Sequence, residues 1–322
     1  MKLSLFKTEF PIMLAPMAGF TDMTYRSICR EHGCDFTFTE MISAKGLKYG
    51  GKSADLMETA PNERPCGIQL FGRDPDIMAE MARRICGENK GELALIDINM
   101  GCPAPKITGN GEGSALMKEP LTAARVIEAV VKASALPVSV KFRKGWDSGH
   151  VNCVDFARMA EASGAAFVTI HGRTRDQMYS GAADWEVIAE AKAALSIPVI
   201  GNGDVTGGSS AIAMRDYTGC DGIMIARGAL GNPYVFQEVK AAFAGIPYTP
   251  PSNAERLDLA IAHVRGLVAH KGPHGVIEMR KHIAYYVRGM KGASAFRTAA
   301  TLAPTAEALI DLIEEYKDSI SE

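Results

Sequence analysis

One of the seven cysteines stands where a reactive side chain would be useful. Cys102 directly follows the apolar run LALIDINM and Gly101, and the loop after it carries glycines at positions 109, 111 and 113. Pro103 restricts the backbone of Cys102 to extended conformations. The position suits a group that acts on a ligand at the end of a strand. A buried thiol that covers the strand end would fit the same residues, since free cysteine is among the most buried residue types.

Polar side chains also follow the other apolar runs of the chain. Any one of them has an ordinary interpretation, because an Asn or Gln at a strand end often only satisfies loop backbone groups. Together they predict a ring of hydrogen-bond donors and acceptors, since the carboxyl ends of barrel strands meet on one face and form the active site. The ring comprises Glu40, Gln69, Asn99 with Cys102, Lys141 with Arg143, His171 with Arg173, Asn202 with Asp204, and Arg227.

Two glycine-containing loops follow the last two predicted strands, GNGDV from Gly201 and ARGALGNPY from Ala226. Barrels commonly build a phosphate site from these loops, because glycine lets backbone N–H groups approach an anion. Arg227 and His171 would add side-chain donors to such a site. Neither GNGDVTGG nor GNGEGS matches a Rossmann or P-loop fingerprint in its required setting of strand and helix.

Eight strand-like runs, each followed by a helical stretch, must position these residues. Short and nearly continuous apolar strands are typical of a parallel sheet that is covered on both faces. Eight such units also close a (β/α)8 TIM barrel, which is the α/β fold that we predict; an open doubly wound sheet is the alternative. The predicted strands are Ile12–Met17, Asp35–Met41, Cys66–Gly72, Leu93–Met100, Leu136–Arg143, Ala165–Arg173, Ile197–Asp204 and Cys220–Gly228.

The composition changes after the predicted barrel. A proline-rich stretch from Gly245 to Leu257 is typical of a linker, and the chain beyond it has helical periodicity without a strand pattern. We therefore predict two domains, a catalytic barrel over residues 1–245 and a small C-terminal helical domain over residues 252–322.

The charge, the first residues and the cysteines of the chain argue against several classes of protein. A formal net charge of −2 carries no global signature of a nucleic-acid binder, so any such function depends on a local patch. The first residues contain no apolar stretch long enough for a signal peptide or a membrane span, and we expect a cytoplasmic protein. The scattered cysteines argue against a disulfide framework, and no spacing completes a zinc site, so no metal is expected. We expect a monomer.

A local basic patch lies in the helical region. Between residues 263 and 297 the one acid is Glu278, and Tyr285, Tyr286 and Phe296 are interleaved with the bases. A cationic surface with aromatic side chains suits RNA. The alternative is a solvated helix face with the tyrosines in the helical core. The bases are Arg265, Lys271, Arg280, Lys281, Arg288, Lys291 and Arg297.

The order and content of these segments resemble the tRNA-dihydrouridine synthases, specifically the bacterial B-type branch. The resemblance spans nearly the whole chain and is most specific in MGCPAPK and HGRTR. One departure is Pro105, where some B-type members carry a Lys, although Lys106 remains. The matching segments are APMAGFTDMTYR, TEMISAKGL, IQLFG, DINMGCPAPKITGNGEGSALM, VSVKFRKGWD, TIHGRTRDQMYSG, PVIGNGDV, GIMIARGALGNPYVF and RKHIAYYVRGMKGASAFR.

The resemblance implies an FMN-bound barrel, a helical domain that binds tRNA, and NADPH as the reductant. Cys102 matches the catalytic acid. Contacts to the RNA are expected at Asn99, Lys106, Arg173, Arg175, Arg280, Lys281 and Arg288. The residues that match flavin contacts are Pro16, Met17, Ala18, Gln69, Lys141, His171, Asn202, Gly203, Asp204, Ala226 and Arg227.

The implied reaction reduces the C5–C6 double bond of uridine in tRNA, which needs a hydride at C6 and a proton at C5. Reduced flavin carries the hydride, and the protein must supply the proton. A thiol with an ordinary pKa near ~8.5 keeps its proton at neutral pH and can donate it, so Cys102 is expected to be a thiol and not a thiolate. The uridine must leave its stack to reach the site, and Tyr179 or Arg175 follows the sixth strand, where either could contact the base.

Two other functions stay open at this point. A flavin barrel that reduces a small molecule would share the scaffold, because a fold does not determine a function. Such an enzyme would have no use for a basic, aromatic helical domain. A non-enzymatic RNA-binding protein built on the same barrel fits poorly with an intact Cys102 beside every type of flavin-contact residue.

Overall fold

Eight parallel strands form the sheet of the computed structural model, which describes residue 6 and residues 8–321. The strands are β1 (Ile12–Leu14), β2 (Ile42–Ser43), β3 (Cys66–Phe71), β4 (Leu93–Met100), β5 (Val138–Gly145), β6 (Phe167–Thr174), β7 (Val199–Asn202) and β8 (Gly222–Ile225). Their order in the sheet is β1-β8-β7-β6-β5-β4-β3-β2, so strands adjacent in sequence are adjacent in space and β1 meets β8. Helices alternate with these strands, which confirms the predicted (β/α)8 barrel.

The second predicted strand has a different form in the structure. A strand was predicted over Asp35–Met41, but the regular pairing with β3 begins only at β2. Phe36 instead bridges to Met13 of β1, and Phe38 bridges to Gly67 of β3, so these isolated parallel bridges close the barrel. Gly67 is required at this point, because a Cβ atom there would lie 2.5 Å from the Phe38 ring.

The helices between the strands follow the predicted pattern. Helix α3 begins as expected, since the Asp74 carboxylate accepts hydrogen bonds from the N–H groups of Asp76 at 3.0 Å and Ile77 at 3.1 Å, with Pro75 in the first turn. The barrel helices are α1 (Met23–Glu31), α2 (Ala44–Lys48), α3 (Pro75–Glu88), α4 (Pro105–Thr108), α5 (Pro120–Ala133), α6 (Cys153–Ala162), α7 (Glu186–Ala194), α8 (Gly208–Thr218) and α9 (Val235–Ala244).

Four further helices follow the proline-rich linker, α10 (Asn253–Lys271), α11 (His274–Tyr286), α12 (Ala293–Leu302) and α13 (Ala306–Ser321). Helix α10 starts with a reciprocal cap, because Ser252 Oγ accepts from the Glu255 N–H and the Glu255 carboxylate accepts from the Ser252 N–H at 2.7 Å. Apolar side chains of all four helices pack into a core separate from that of the barrel. Within the described residues, no helix has the length and apolar character needed to cross a membrane.

Helix α11 packs directly on the loop after β8. Gly231 of that loop has a φ of +64°, and a Cβ atom there would lie 2.4 Å from the carbonyl carbon of Tyr285 and 2.5 Å from the backbone nitrogen of Tyr286. On another side of the contact, Lys271 of α10 reaches Asp22 at 3.0 Å, and Asp22 caps α1. The C-terminal helices therefore rest on the loops at the carboxyl end of the barrel.

Candidate functional site

A cavity of about 1210 Å³ opens at the carboxyl ends of the strands. It extends from the barrel to the helical region, where Tyr285 and Arg288 form part of its wall, and to the linker at Tyr248. Ligand pockets commonly have volumes of ~300–1,000 Å³, so this cavity has room for a large cofactor and part of a substrate. Its lining includes Cys102, Asn99 and every residue that the resemblance assigns to the cofactor: Pro16, Met17, Ala18, Gln69, Lys141, His171, Asn202, Gly203, Asp204, Ala226 and Arg227.

A chain of buried polar side chains, the relay, crosses three strands and ends at Cys102. Ser139 Oγ of β5 donates to Asp97 Oδ1 of β4 at 2.6 Å, and Gln69 Nε2 of β3 donates to Asp97 Oδ2 at 2.6 Å. Gln69 Oε1 accepts from Asn99 Nδ2 at 2.8 Å, and Asn99 Oδ1 accepts from the backbone N–H of Cys102 at 2.9 Å. The relay therefore holds the main chain that carries the thiol.

The other side of the Cys102 main chain is held by the loop that returns to the barrel. Ser114 donates to the Cys102 carbonyl twice, from its N–H at 3.0 Å and from its hydroxyl at 2.9 Å. Gly113, with a φ of +59°, lies so close that a Cβ atom would be 2.8 Å from the same carbonyl oxygen. Both peptide groups of Cys102 are thus fixed by hydrogen bonds.

Arg143 ties this loop to the loop after β6. Its Nε donates to the Gly101 carbonyl at 2.7 Å, and its Nη1 donates to the carbonyls of Thr174 and Met178, both at 2.9 Å. The guanidinium carbon also lies 5.8 Å from the centre of the Tyr179 ring. The buried cation therefore links the main chain beside Cys102 to the exposed tip that carries Tyr179.

The Cys102 side chain has the protonation state of an ordinary thiol. Burial raises the pKa of Cys102, and this effect exceeds the opposing influence of the Ala104 N–H and the Arg143 charge. A raised thiol pKa keeps the proton on sulfur at neutral pH. The site thus holds a protonated thiol in place and not an activated thiolate.

The ends of β7 and β8 form a cradle suited to an anion. The backbone N–H groups of Asp204, Arg227 and Gly228 donate to no other residue in the described part of the chain. Arg227 begins a short 3-10 turn that ends at Ala229 and has no side-chain cap. Unpaired N–H groups at the start of such a turn, in this part of a barrel, are typical of phosphate sites.

His171 and Lys141 approach the cavity from neighbouring strands. Burial lowers the pKa of His171 well below 6.5, and the charges of Lys141 and Arg143 lower it further, so the imidazole is neutral at pH 7. Burial, followed by the Arg143 charge, lowers the pKa of Lys141 to about 8. Its Nζ donates to Asn202 Oδ1 at 3.0 Å. The site offers one neutral ring and one ammonium to a ligand.

Asp204 is engaged in an ion pair. Its carboxylate meets Arg173 twice, at 2.7 and 2.8 Å, and accepts from the Ala183 N–H at 2.6 Å. Burial opposes ionisation, but the hydrogen bonds and charge of Arg173 outweigh it and lower the pKa of Asp204. The guanidinium of Arg227 lies 3.6 Å from Asp204 and 4.8 Å from the Tyr179 ring centre. Asp204 thus organises the cradle through its side chain.

The residues expected to contact RNA lie in different environments. Asn99 and Arg288 line the cavity, and Lys106 is exposed on α4. Arg173 is only 2 % exposed and its guanidinium binds Asp204, so the structure does not bring it to the surface. Asn99 also serves in the relay, which makes it a structural partner of Cys102.

The remaining cations of this group pack beside aromatic rings or on α11. The Arg175 guanidinium lies 4.7 Å from the centre of the Trp146 ring, and Lys118 Nζ lies 4.1 Å from the same centre. Lys281 Nζ lies 5.6 Å from the centre of the Phe20 ring, which belongs to the loop between β1 and α1. Arg280 is half-buried and donates to the Ala303 carbonyl at 3.4 Å.

The three aromatic residues of the basic patch are divided between core and cavity. Tyr286 belongs to the core of the C-terminal helices, as the alternative interpretation of the patch expected for the tyrosines, and Phe296 belongs to the same core. Tyr285 lines the cavity, with the Arg288 guanidinium 5.0 Å from its ring centre. Only Tyr285 of this set is available to a ligand in the cavity.

Sequence reasoning placed Arg143 in the ring of strand-end side chains but did not foresee its contact with the Gly101 carbonyl, and it did not single out Asp97 or Ser139. A signal was present for Asp97, because an acid in the middle of LALIDINM must find partners when the strand is buried. The linker was also treated only as a connection, whereas its Tyr248 and Pro250 line the cavity.

Known proteins of one family match this chain over nearly its whole length. A family profile described as Dihydrouridine synthase (Dus) matches residues 13–321. The tRNA-dihydrouridine synthase B of Vibrio cholerae serotype O1 is 37% identical over 328 residues, covering 100% of both chains. The tRNA-dihydrouridine synthase B of Xanthomonas campestris pv. campestris is 40% identical over 312 residues, covering 96% of this chain and 93% of its own. A probable tRNA-dihydrouridine synthase 1 of Synechocystis sp. is 41% identical over 288 residues, covering 89% and 80%.

Proposed function

Because this chain belongs to the dihydrouridine synthase family, we propose that it reduces uridine to dihydrouridine in tRNA, with FMN as cofactor and NADPH as reductant. The observation that carries the proposal is the position of Cys102. A protonated thiol, held from both sides, lines the same cavity as an anion cradle at the ends of β7 and β8. The choice of NADPH over NADH rests on the family resemblance.

The residues around the cavity fit FMN. The unpaired N–H groups of Asp204, Arg227 and Gly228 suit a phosphate, and the Arg227 guanidinium adds a charge-assisted donor. When bound, FMN supplies the hydride that reduces C6 of the uracil ring. The residues proposed to hold it are Pro16, Met17 and Ala18 along the ring, Gln69 and Lys141 at its polar edge, and His171, Asn202, Gly203, Asp204, Ala226 and Arg227 along the ribityl phosphate.

Cys102 supplies the proton at C5 in this proposal. The proton leaves Sγ as C5 of the uracil gains electron density, and sulfur is left as a thiolate. The Arg143 charge lowers the pKa of Cys102 and therefore stabilises this thiolate after transfer. Because burial keeps the thiol pKa raised, sulfur regains a proton from solvent before the next turnover.

We propose residues 1–245 as the catalytic domain and residues 252–322 as the part that binds tRNA. Arg288 and Tyr285 lie on the helical wall of the cavity, and Lys281 lies next to Phe20 at its barrel rim. These cations suit the backbone of the RNA beside a uridine that has left its stack. Lys106 and Arg175 extend the cationic surface along the barrel mouth.

The test is a turnover assay with three components. Purified protein is mixed with NADPH and with tRNA transcribed without modifications, and dihydrouridine is counted by mass spectrometry. Cys102→Ala is the matched variant, since it removes only the sulfur and should retain bound flavin. Dihydrouridine from the wild type and none from Cys102→Ala is the expected result.

Two other results would refute parts of the proposal. Full activity of Cys102→Ala would refute the role of the thiol. A bound, reducible flavin with no dihydrouridine, on native tRNA that lacks only this modification as well as on the transcript, would indicate a small-molecule reductase. Protein that never retains flavin would contradict the assignment of the cradle.

A further inference from the structure

A carboxylate in the interior of the barrel has no part in the proposed reaction. Asp97 lies in the middle of β4, is fully buried and does not line the cavity. An isolated charge in such a place is strongly unfavourable, so a buried carboxylate must be compensated by hydrogen bonds and counter-charge. Asp97 receives short hydrogen bonds from Ser139 and Gln69, and the charge of Lys141 on β5 lowers its pKa. This arrangement requires an explanation beyond packing.

The direction of the relay follows from the chemistry of Asp97. An ionised carboxylate only accepts hydrogen bonds, so the amide nitrogen of Gln69 must point toward it and the amide oxygen away from it. That oxygen then requires a donor, which is Asn99 Nδ2 at 2.8 Å. The oxygen of Asn99 is left to accept from the backbone N–H groups of Gly101 at 3.1 Å and Cys102 at 2.9 Å.

The strand register places these groups at one level of the barrel. Gln69 of β3 is the direct neighbour of Asp97 of β4, and Asp97 is the direct neighbour of Ser139 of β5. Each amide in the relay could make hydrogen bonds in either of two orientations if its partners allowed both. The acceptor-only carboxylate removes that freedom at one end, and the effect passes through both amides to the Cys102 main chain.

We propose that Asp97 is a positioning residue, whose ionised carboxylate sets the direction of the relay and thereby holds the Cys102 main chain in the geometry for proton transfer. The proposal rests on the proposed function of Cys102. If Asp97 becomes an amide or a protonated acid, it can donate as well as accept. Gln69 can then turn over, and Asn99 no longer has to present its oxygen to Cys102.

The titration of Asp97 provides a signature of this role. Burial raises the pKa of Asp97 to about 6, against the opposing effects of the Ser139 and Gln69 hydrogen bonds and the Lys141 charge. The relay should therefore lose its fixed direction as the pH falls through about 6. Lys141, with a pKa of about 8, stays charged as the pH falls through about 6, and burial keeps the pKa of His171 well below 6.5.

The experiment compares Asp97→Asn, which keeps the shape of the side chain, with Ser139→Ala, which removes one donor but keeps the carboxylate. In the protein with bound flavin, alkylation of Cys102 by iodoacetamide at pH 8 is followed by peptide mass spectrometry, which separates Cys102 from the other cysteines. Alkylation is expected to be several-fold faster in Asp97→Asn, because Asn99 Oδ1 is then no longer fixed as the acceptor for the Cys102 N–H and the Cys102 loop becomes more mobile. It should be unchanged in Ser139→Ala.

Dihydrouridine formation from pH 5 to pH 8 gives the second readout. The wild-type rate should fall as the pH passes through about 6. Asp97→Asn should be slower at pH 8 by about 10-fold or more, because a small displacement of a catalytic group has effects of this size, and its rate should not change near pH 6. Ser139→Ala should keep its rate at pH 8 and lose activity at a higher pH than the wild type, since removing a donor raises the Asp97 pKa further.

The possible outcomes separate this inference from the proposed function. Wild-type alkylation and a wild-type pH profile in Asp97→Asn would overturn the inference. If Asp97→Asn fails to fold, an unshifted profile in Ser139→Ala overturns it, and an upward shift supports it. A wild-type protein that makes no dihydrouridine, with the expected alkylation differences, would refute the substrate and support the relay.

Discussion

Replacing Gly231 by alanine should disturb the contact between the barrel and the C-terminal helices, and not only the conformation of the loop that contains Gly231. The new Cβ atom would lie 2.4 Å from the carbonyl carbon of Tyr285, where ordinary van der Waals contacts begin at 3.4 Å. The two nearest atoms, the Tyr285 carbonyl carbon and the Tyr286 nitrogen, both belong to the main chain, so neither can move aside as the end of a flexible side chain could. Helix α11 must therefore move away from the loop by about 1 Å, which is the shortfall between these two distances.

The expected loss of stability has two sources. An L-residue at the φ of +64° costs ~1–2 kcal/mol, because its Cβ atom approaches the carbonyl oxygen. Overpacking of a buried contact costs a further ~1–3 kcal/mol. Gly245→Ala is the matched control, because Gly245 has a φ of +66° and, among the described residues, no atom lies within 4 Å of its Cβ position. The control should therefore lose only the first amount.

Urea unfolding followed by circular dichroism measures both variants against the wild type. Gly231→Ala should be less stable than Gly245→Ala by ~1–3 kcal/mol. It should also bind tRNA more weakly, because α11 carries Lys281 and Arg288 lies just beyond its C-terminal end. Flavin content should be unchanged in both. Equal stabilities and equal tRNA affinities of the two variants would refute the view that the absence of a side chain at Gly231 determines how α11 packs on the barrel.

Three further expectations concern the cradle, the RNA surface and a buried histidine. Arg227→Ala should weaken FMN binding by about 10-fold, the scale of one charge-assisted hydrogen bond, and a flavin fluorescence titration with unchanged affinity would contradict the cradle. Arg175→Ala should slow turnover and reduce the slope of log affinity against log salt by about one, so an unchanged slope would argue against a phosphate contact. Burial lowers the pKa of His263 from 6.5 to about 4, so the unfolded chain binds a proton in this interval that the folded chain does not. Stability should therefore be complete above pH 6.5 and fall by about 3 kcal/mol as the pH drops to about 4, a loss that His263→Phe should remove and that urea unfolding at both pH values would detect.

The barrel could be predicted from the sequence because its strands are short apolar runs separated by amphipathic helices. The prediction was wrong in detail at residues 35–41, where the run DFTFTEM alternates like a strand. Its phenylalanine rings belong to a buried cluster with residues of five strands, and the segment makes isolated bridges to β1 and β3. Such packing depends on what lies across the barrel, which a local pattern cannot contain.

The candidate site could be predicted only as a set of strand ends. Which side chains touch depends on register, and the neighbours Gln69, Asp97 and Ser139 come from three separate strands. The same limit applies to Arg173 and Arg175, which are two residues apart in HGRTR. One lies within β6 and is bound by Asp204, while the other lies just beyond the strand beside Trp146. The two residues are of the same type, and their environments differ because β6 ends at Thr174, between them.

The strands on one side of the barrel are longer than those on the other side. Strands β4, β5 and β6 have 8 residues each, whereas β7 and β8 have 4 each and β1 has 3. Cys102 follows one of the long strands, which also contain most of its relay, and the anion cradle follows the short strands β7 and β8. Short ladders open more readily than long ones, so amide hydrogen exchange should be slow through β4–β6 and faster around β7, β8 and β1. The side of the barrel that carries the anion cradle can therefore open locally more readily than the side that carries Cys102.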